Sequence, residues 1–199
     1  MAIGRHAERL SHGVPSGAVP VTRRILRITV GALAGVALLL VQPGVPSAQE
    51  VTGPALKAAF LFNFVKFTTW PADVLPDAAP LVMCVVNDPA VGSALARTVA
   101  GREVLGHRIR MVQSDQSDVL RTCHVVYVSG ARSAALDVVR VVRDTPVFTV
   151  SDVHAFTAGG GIAQLHVQQG QLRFAIALEA ARSARLQISA RLMALARQP

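Results

Sequence analysis

Cys84 and Cys123 are the chain's two cysteines, and their places suggest a chemistry at once. Cys84 lies inside the apolar run 81–86, and Cys123 directly precedes another, 124–128. In an oxidising compartment an even cysteine count makes a disulfide the default. If the two runs are neighbouring strands, the Cα atoms fall within bonding reach. A pair of buried free thiols is the alternative; a metal site lacks the nearby Cys or His that would complete its spacing. A second group of polar residues stands at the carboxyl ends of apolar runs: Asn87 and Asp88, Ser129 and Gly130, Ser151 and Asp152. An α/β domain commonly binds small molecules at such strand ends. These six residues therefore outline a possible ligand crevice, although the same residue types also cap helices and make turns.

Catalysis finds no comparable constellation. The sequence has no Gly-x-Ser-x-Gly elbow, no phosphate-cradling Gly-x-x-x-x-Gly-Lys loop and no His-Glu-x-x-His pair. Gly159, Gly160 and Gly161 have the composition of an anion nest, but a glycine cluster between elements is more often a turn. His154 and His166 lack a nearby carboxylate, and His124 stands at a strand position where a structural or exposed role is the simpler one. The expectation is a protein that is not an enzyme, with no catalytic residue, no cofactor and no metal.

The most distinctive segment is 53–71, GPALKAAFLFNFVKFTTWP, which holds four of the seven Phe (Phe60, Phe62, Phe64, Phe67) and the single Trp, Trp70. At about 100° per residue, Leu56, Phe60, Phe64 and Phe67 form one apolar stripe, and Ala58, Leu61 and Val65 form another roughly opposite. Such a helix needs cover on two sides. A sheet supplies one, and the rest of the chain, a second subunit or a partner must supply the other. Phe60, Phe62, Phe64, Phe67 and Trp70 are accordingly candidate partner-binding residues, with burial in the core as the competing use.

Residues 1–48 read as a signal peptide. A basic stretch (Arg5, Arg9, Arg23, Arg24, Arg27) leads into the apolar run 28–41 and then to the small residues Ser47 and Ala48. The 14-residue run is short for a bilayer span, and Thr22-Arg23-Arg24-Ile25-Leu26 is only a faint twin-arginine pattern. Cleavage is expected between Ala48 and Val51. The remainder, 49–199, carries 15 Lys and Arg against 11 Asp and Glu, a net charge of +4. Its Arg residues are scattered without a basic stripe, which argues against a nucleic-acid partner. About 150 residues without an internal linker make one domain.

Along that domain, apolar runs and helical patterns alternate. Strands are expected at 81–87, 107–113, 123–130 and 145–150, with helices opening at Asp88-Pro89 and covering 131–143. A hairpin follows over 162–178, then a short helix from Glu179 and a last helix over 186–197 with Ile188, Leu192 and Leu195 inward. The fold class is α/β: a single three-layer domain with a mixed central sheet of about five to six strands and helices on both faces.

Several blocks together resemble the YfiR family of exported proteins. They are Lys57-Ala58-Ala59-Phe60-Leu61-Phe62-Asn63-Phe64 with Lys66-Phe67 and Trp70-Pro71, the Cys84 strand, Tyr127-Val128-Ser129, Val150-Ser151-Asp152, the glycines before Ile162, Arg173-Phe174 with Ile176, and Ile188-Ser189 with Leu192 and Ala194-Leu195-Ala196. The match covers nearly all of the chain after the signal. The resemblance implies a periplasmic, non-catalytic regulator that holds an inner-membrane diguanylate cyclase inactive and is titrated away by an outer-membrane lipoprotein. A homodimer is a separate expectation, from the second apolar face of the aromatic helix. The Cys84 and Cys123 pair resembles the family's framework disulfide. A second cysteine pair is missing, Ala177 stands where Asn is common, and Arg185 stands where Gly is frequent. The rival expectation is a periplasmic small-ligand-binding sensor acting with another membrane signalling protein.

Overall fold

The computed structural model describes residues 53–196, in which each alternating apolar run forms a strand. Pro54 starts helix α1 (Pro54–Lys66), where its missing N–H costs nothing. The Thr68 hydroxyl closes the far end by donating to the Phe64 carbonyl at 2.9 Å. The chain then runs through β1 (Thr68–Thr69), β2 (Leu81–Val86), α2 (Pro89–Val99), β3 (Glu103–Val104), β4 (His107–Gln113), α3 (Ser117–Arg121), β5 (Val125–Val128), α4 (Arg132–Val141) and β6 (Phe148–Ser151). A 3-10 turn (Thr157–Gly159), β7 (Ala163–Gln168), β8 (Gln171–Ile176), α5 (Leu178–Ser183), β9 (Gln187–Ile188) and α6 (Ala190–Leu195) complete it.

Seven strands make one sheet in the order β3-β4-β2-β5-β6-β7-β8, parallel through the middle and antiparallel at both edges. The edge hairpin β7–β8 turns at Gln169 and Gly170, both at positive φ, the backbone that a two-residue hairpin requires. Every residue of β2 is buried, as a central parallel strand demands. Leu81, Met83 and Val85 pack with Leu61, Phe64 and Val65 of α1 and Val91 and Leu95 of α2. Val82, Cys84 and Val86 join Leu120 of α3 and Val138 and Val139 of α4. The expected mixed α/β sheet with helices on both faces is present, with seven strands.

Two local expectations are corrected. Residues 186–188 do not belong to the last helix: Gln187 and Ile188 form β9, paired with β1 in a separate two-stranded sheet. Ser189 starts α6 instead, its hydroxyl accepting from Leu192 N at 3.2 Å while its own N–H donates to the Phe67 carbonyl at 2.9 Å. Leu192 is buried, but Leu195 is 62% exposed. The two stripes on α1 also differ. Ala58, Leu61, Phe64 and Val65 merge into one broad buried face, and Leu56 points outward. The reason is that Phe60 and Phe64 both stack edge-on against Phe174 of β8, which draws the helix over the sheet on that side.

Candidate functional site

The central strands run β4-β2-β5-β6-β7, so the chain leaves β2 in one direction and returns on its other side at β5. A crevice is expected where that reversal occurs, beyond the carboxyl ends of β2 and β5. The six sequence-chosen residues stand at the ends of β2, β5 and β6. Asn87 turns the chain at φ 60°, and Asp88 caps α2, its Oδ1 accepting from Val91 N at 3.0 Å. Gly130 takes φ 104° between β5 and α4. Ser151 is buried and braces the β6 end, donating to the Val128 carbonyl at 2.7 Å and accepting from Val153 N at 3.0 Å.

Two residues outside that set bind the ends together. Lys57 reaches down from α1, and its Nζ lies 2.6 Å from Asp152 Oδ2, 3.2 Å from the Tyr127 hydroxyl and 3.8 Å from Asp88 Oδ2. The Tyr127 hydroxyl in turn donates to Asp88 Oδ2 at 3.4 Å. The side chains of Lys57, Asp88 and Asp152 are 12%, 17% and 27% exposed, so this charge cluster is largely shielded from water. Burial and then the charge of Asp152 push the Tyr127 hydroxyl far above its ordinary value, which keeps it neutral. Burial would raise Asp152, but the hydrogen bond and charge of Lys57, with hydroxyl contacts from Ser129 and Tyr127, hold it below the usual carboxylate value. Chemically this is a clasp: one ammonium shared by two carboxylates and a phenol, with Lys57 standing across the switch point.

Asn87 and Asp88 line an open cavity there of about 270 Å³, bounded also by Gln113 and Asp115. A cavity of about 340 Å³ lies elsewhere, walled by Val142, Val147, Thr149, Ile162 and Ala184, and it includes none of the six. In the sequence Lys57 stands out only as the first residue of the block 57–64 that resembles the family. Its signal was spacing: it is the one basic residue in the first two turns of α1, on the helix most in need of an anchor.

The candidate partner residues divide by depth. Phe64 and Trp70 are buried, Phe64 against Phe148 and Phe174, and Trp70 donating Nε1–H to the His124 carbonyl at 3.2 Å. Phe60, Phe62 and Phe67 are half-buried. Phe62 carries two cations, Lys66 Nζ at 5.6 Å and the Arg102 guanidinium at 5.1 Å from its ring centre; Arg191 lies 5.6 Å from the Phe67 ring.

On the opposite face of the sheet Cys84 and Cys123 are joined in a disulfide with a Cα separation of 6.0 Å, linking β2 to the start of β5. The sequence model of the YfiR/HmsC-like family matches residues 54–197, the whole of this sheet and its helices. The chain belongs to the YfiR/HmsC-like family. This is a regulatory family linked to diguanylate cyclase signalling in the periplasm. No curated protein matches the chain. Among solved structures, a conserved domain protein from Vibrio cholerae O1 biovar eltor is 13% identical with a TM-score of 0.46, over 73% of this chain and 60% of that one. A phosphoglycerate oxidoreductase from Rhizobium etli is 15% identical with a TM-score of 0.34, over 53% of this chain and 52% of that one. The chain thus spans less than two thirds of either solved protein. None of the described helices is long and apolar enough to cross a membrane.

Proposed function

We propose that residues 1–48 direct export and are removed, and that residues 49–199 act in the periplasm as a non-enzymatic regulator. In this reading the domain binds the periplasmic part of a membrane diguanylate cyclase and represses it, lowering cyclic-di-GMP. It is withdrawn by an outer-membrane lipoprotein, and it works as a homodimer. The observation that carries the reading is the family match over residues 54–197. The test is to express the full chain with each membrane diguanylate cyclase of the source bacterium and measure cyclic-di-GMP. Repression of one cyclase, lost when residues 1–48 are deleted, supports the reading; unchanged cyclic-di-GMP with every cyclase rejects it.

A second reading, a small-ligand sensor, draws on the open cavity beside Asn87 and Asp88. Calorimetry of the purified domain against a metabolite panel separates the two. Saturable binding abolished by Asp88→Ala, without any cyclase contact, would favour the sensor.

A further inference from the structure

Four helices pack into the core cluster on one sheet face. Three of them, α1, α2 and α6, contain no Asp or Glu, and the fourth, α5, carries Glu179 paired with its own Arg182. The outward cations of the acid-free three are Lys66, Arg97 and Arg191, and Arg102 follows α2 directly; all four are exposed. Of the acids in the adjoining loops, Glu103 pairs with Arg108 and Asp73 with Arg185, while Asp77 is exposed and makes no ion pair with Lys66, Arg102 or Arg191. Among the described residues the ion pairs are made by Lys57, Arg108, Arg140, Arg182 and Arg185, and none by Lys66, Arg102 or Arg191. Those three lie over aromatic rings instead. A ring quadrupole offsets only a small part of a cation's charge at an exposed site. On the other face the helices do carry acids, Asp118 on α3 and Asp137 on α4, the latter paired with Arg140.

We propose that this α1–α6 face, centred on Phe62 and Phe67 with Lys66, Arg102 and Arg191 around them, docks an acidic protein surface, and that this surface lies on the periplasmic part of the cyclase. The assignment rests on the regulator reading above and adds the face and the charge of the partner to it. Charge complementarity selects the occupant. A second copy of the chain would set the same cations against one another, because a twofold contact opposes a patch to itself. An anionic membrane is poorly matched, because Phe62 and Phe67 are half-buried under their cations and do not protrude as bilayer anchors do. A protein surface bearing carboxylates can pair the cations while its apolar side chains cover the two rings, the usual combination of an interface centre with a charged rim.

The test uses the signal-free chain and the purified periplasmic fragments of the source bacterium's membrane diguanylate cyclases, with binding followed by calorimetry. The wild type should bind one fragment, with affinity falling roughly fivefold or more between about 50 and about 300 mM salt. The combined variant Lys66→Glu/Arg102→Glu/Arg191→Glu should weaken binding roughly tenfold or more. Arg132→Glu/Arg143→Glu, on the opposite layer, should bind as wild type. Unfolding temperature checks each variant, and if the triple reversal does not fold, the single neutral changes Lys66→Gln, Arg102→Gln and Arg191→Gln replace it. Wild-type-like binding by the folded triple variant, or by all three neutral variants, overturns this face and leaves the regulator reading standing. Failure of every fragment to bind the wild type overturns both. Binding to phosphatidylglycerol vesicles and to no fragment would instead make the face a membrane site.

Discussion

Lys57 Nζ sits 2.6 Å from Asp152 Oδ2, joining the first described helix to the end of β6 across 95 residues of sequence. Removing the ammonium would leave two carboxylates beside a neutral phenol in a mostly shielded site. Breaking a buried pair by deleting one partner costs about 3–5 kcal/mol, and partial exposure here reduces that to about 1–3 kcal/mol. Lys57→Met should show that loss in urea unfolding. Asp152→Asn, which keeps the shape and leaves Asp88 as a partner, should lose less. Because the folded-state value of Asp152 is depressed, its contribution is present above the unfolded carboxylate value and is lost as pH falls through the folded value. The stability difference between wild type and Asp152→Asn should therefore shrink below about pH 4.

His124 gives a second pH dependence of the same sign. Its Nδ1 accepts the Val82 N–H at 3.0 Å, so that nitrogen must be unprotonated in the folded chain. Burial lowers its folded-state value below the ordinary 6.5; a hydrogen bond from the ring to the Val74 backbone carbonyl opposes this, and the nearby His107 adds to the lowering. The unfolded chain therefore takes up a proton first. Stability should be complete above about pH 6.5 and fall as pH drops from there toward the folded-state value. His124→Asn places an acceptor oxygen where Nδ1 stands. Its thermal unfolding temperature should vary less between pH 7 and 5 than that of the wild type, and an identical slope would reject the assignment.

The disulfide closes a loop of 39 residues between adjacent central strands. The chain-entropy argument assigns such a closure about 4 kcal/mol, and native disulfides of small domains are worth about 2–5 kcal/mol. Cys84→Ser/Cys123→Ser should lower stability within that range. Intact-mass measurement after alkylation of unreduced periplasmic protein should find no modified cysteine.

Arg185, one of the departures from the family pattern, adopts φ 57° just after α5. An L side chain in the left-handed region costs about 1–2 kcal/mol and glycine avoids it. The exposed ion pair of Arg185 with Asp73 at 3.1 Å returns about 0–1 kcal/mol. The strain is the larger of the two, so Arg185→Gly should raise stability, by about 0.5–1 kcal/mol in urea unfolding.

Local signals carried most of the fold. Asp88-Pro89 announced α2 because a cap and an N1 proline act within one turn, and the unbroken apolar run of β2 announced a strand buried on both sides. The parts that stayed hidden depend on distant partners. Gln187 and Ile188 look helical beside Leu192 and become a strand because Thr69 and Thr68, 118 and 120 residues away in register, offer them a ladder. At the candidate site the strand-end residues were visible as polar punctuation, but Lys57 and Tyr127 were not. Their roles exist only once α1 lies over the ends of β5 and β6, a placement set by Phe60 and Phe64 against Phe174.

The same placement separates two neighbouring phenylalanines of α1. Phe64 is 1% exposed and touches the rings of Phe60, Phe148 and Phe174, with centroids 6.3, 5.6 and 5.1 Å away. Truncating such a ring costs about 3–5 kcal/mol, and an unpaired carboxylate adds a burial penalty to that. Phe64→Glu should therefore abolish cooperative thermal unfolding. Phe62 is half-buried between Lys66 and Arg102, where a carboxylate would be solvated and would meet two cations. Phe62→Glu should fold with a loss of about 1–2 kcal/mol. It should also neutralise part of the cationic face and remove its central ring, so cyclase repression in cells should fall while the folded protein persists at normal abundance. Full repression by a normally abundant Phe62→Glu protein would exclude this part of α1 from the contact.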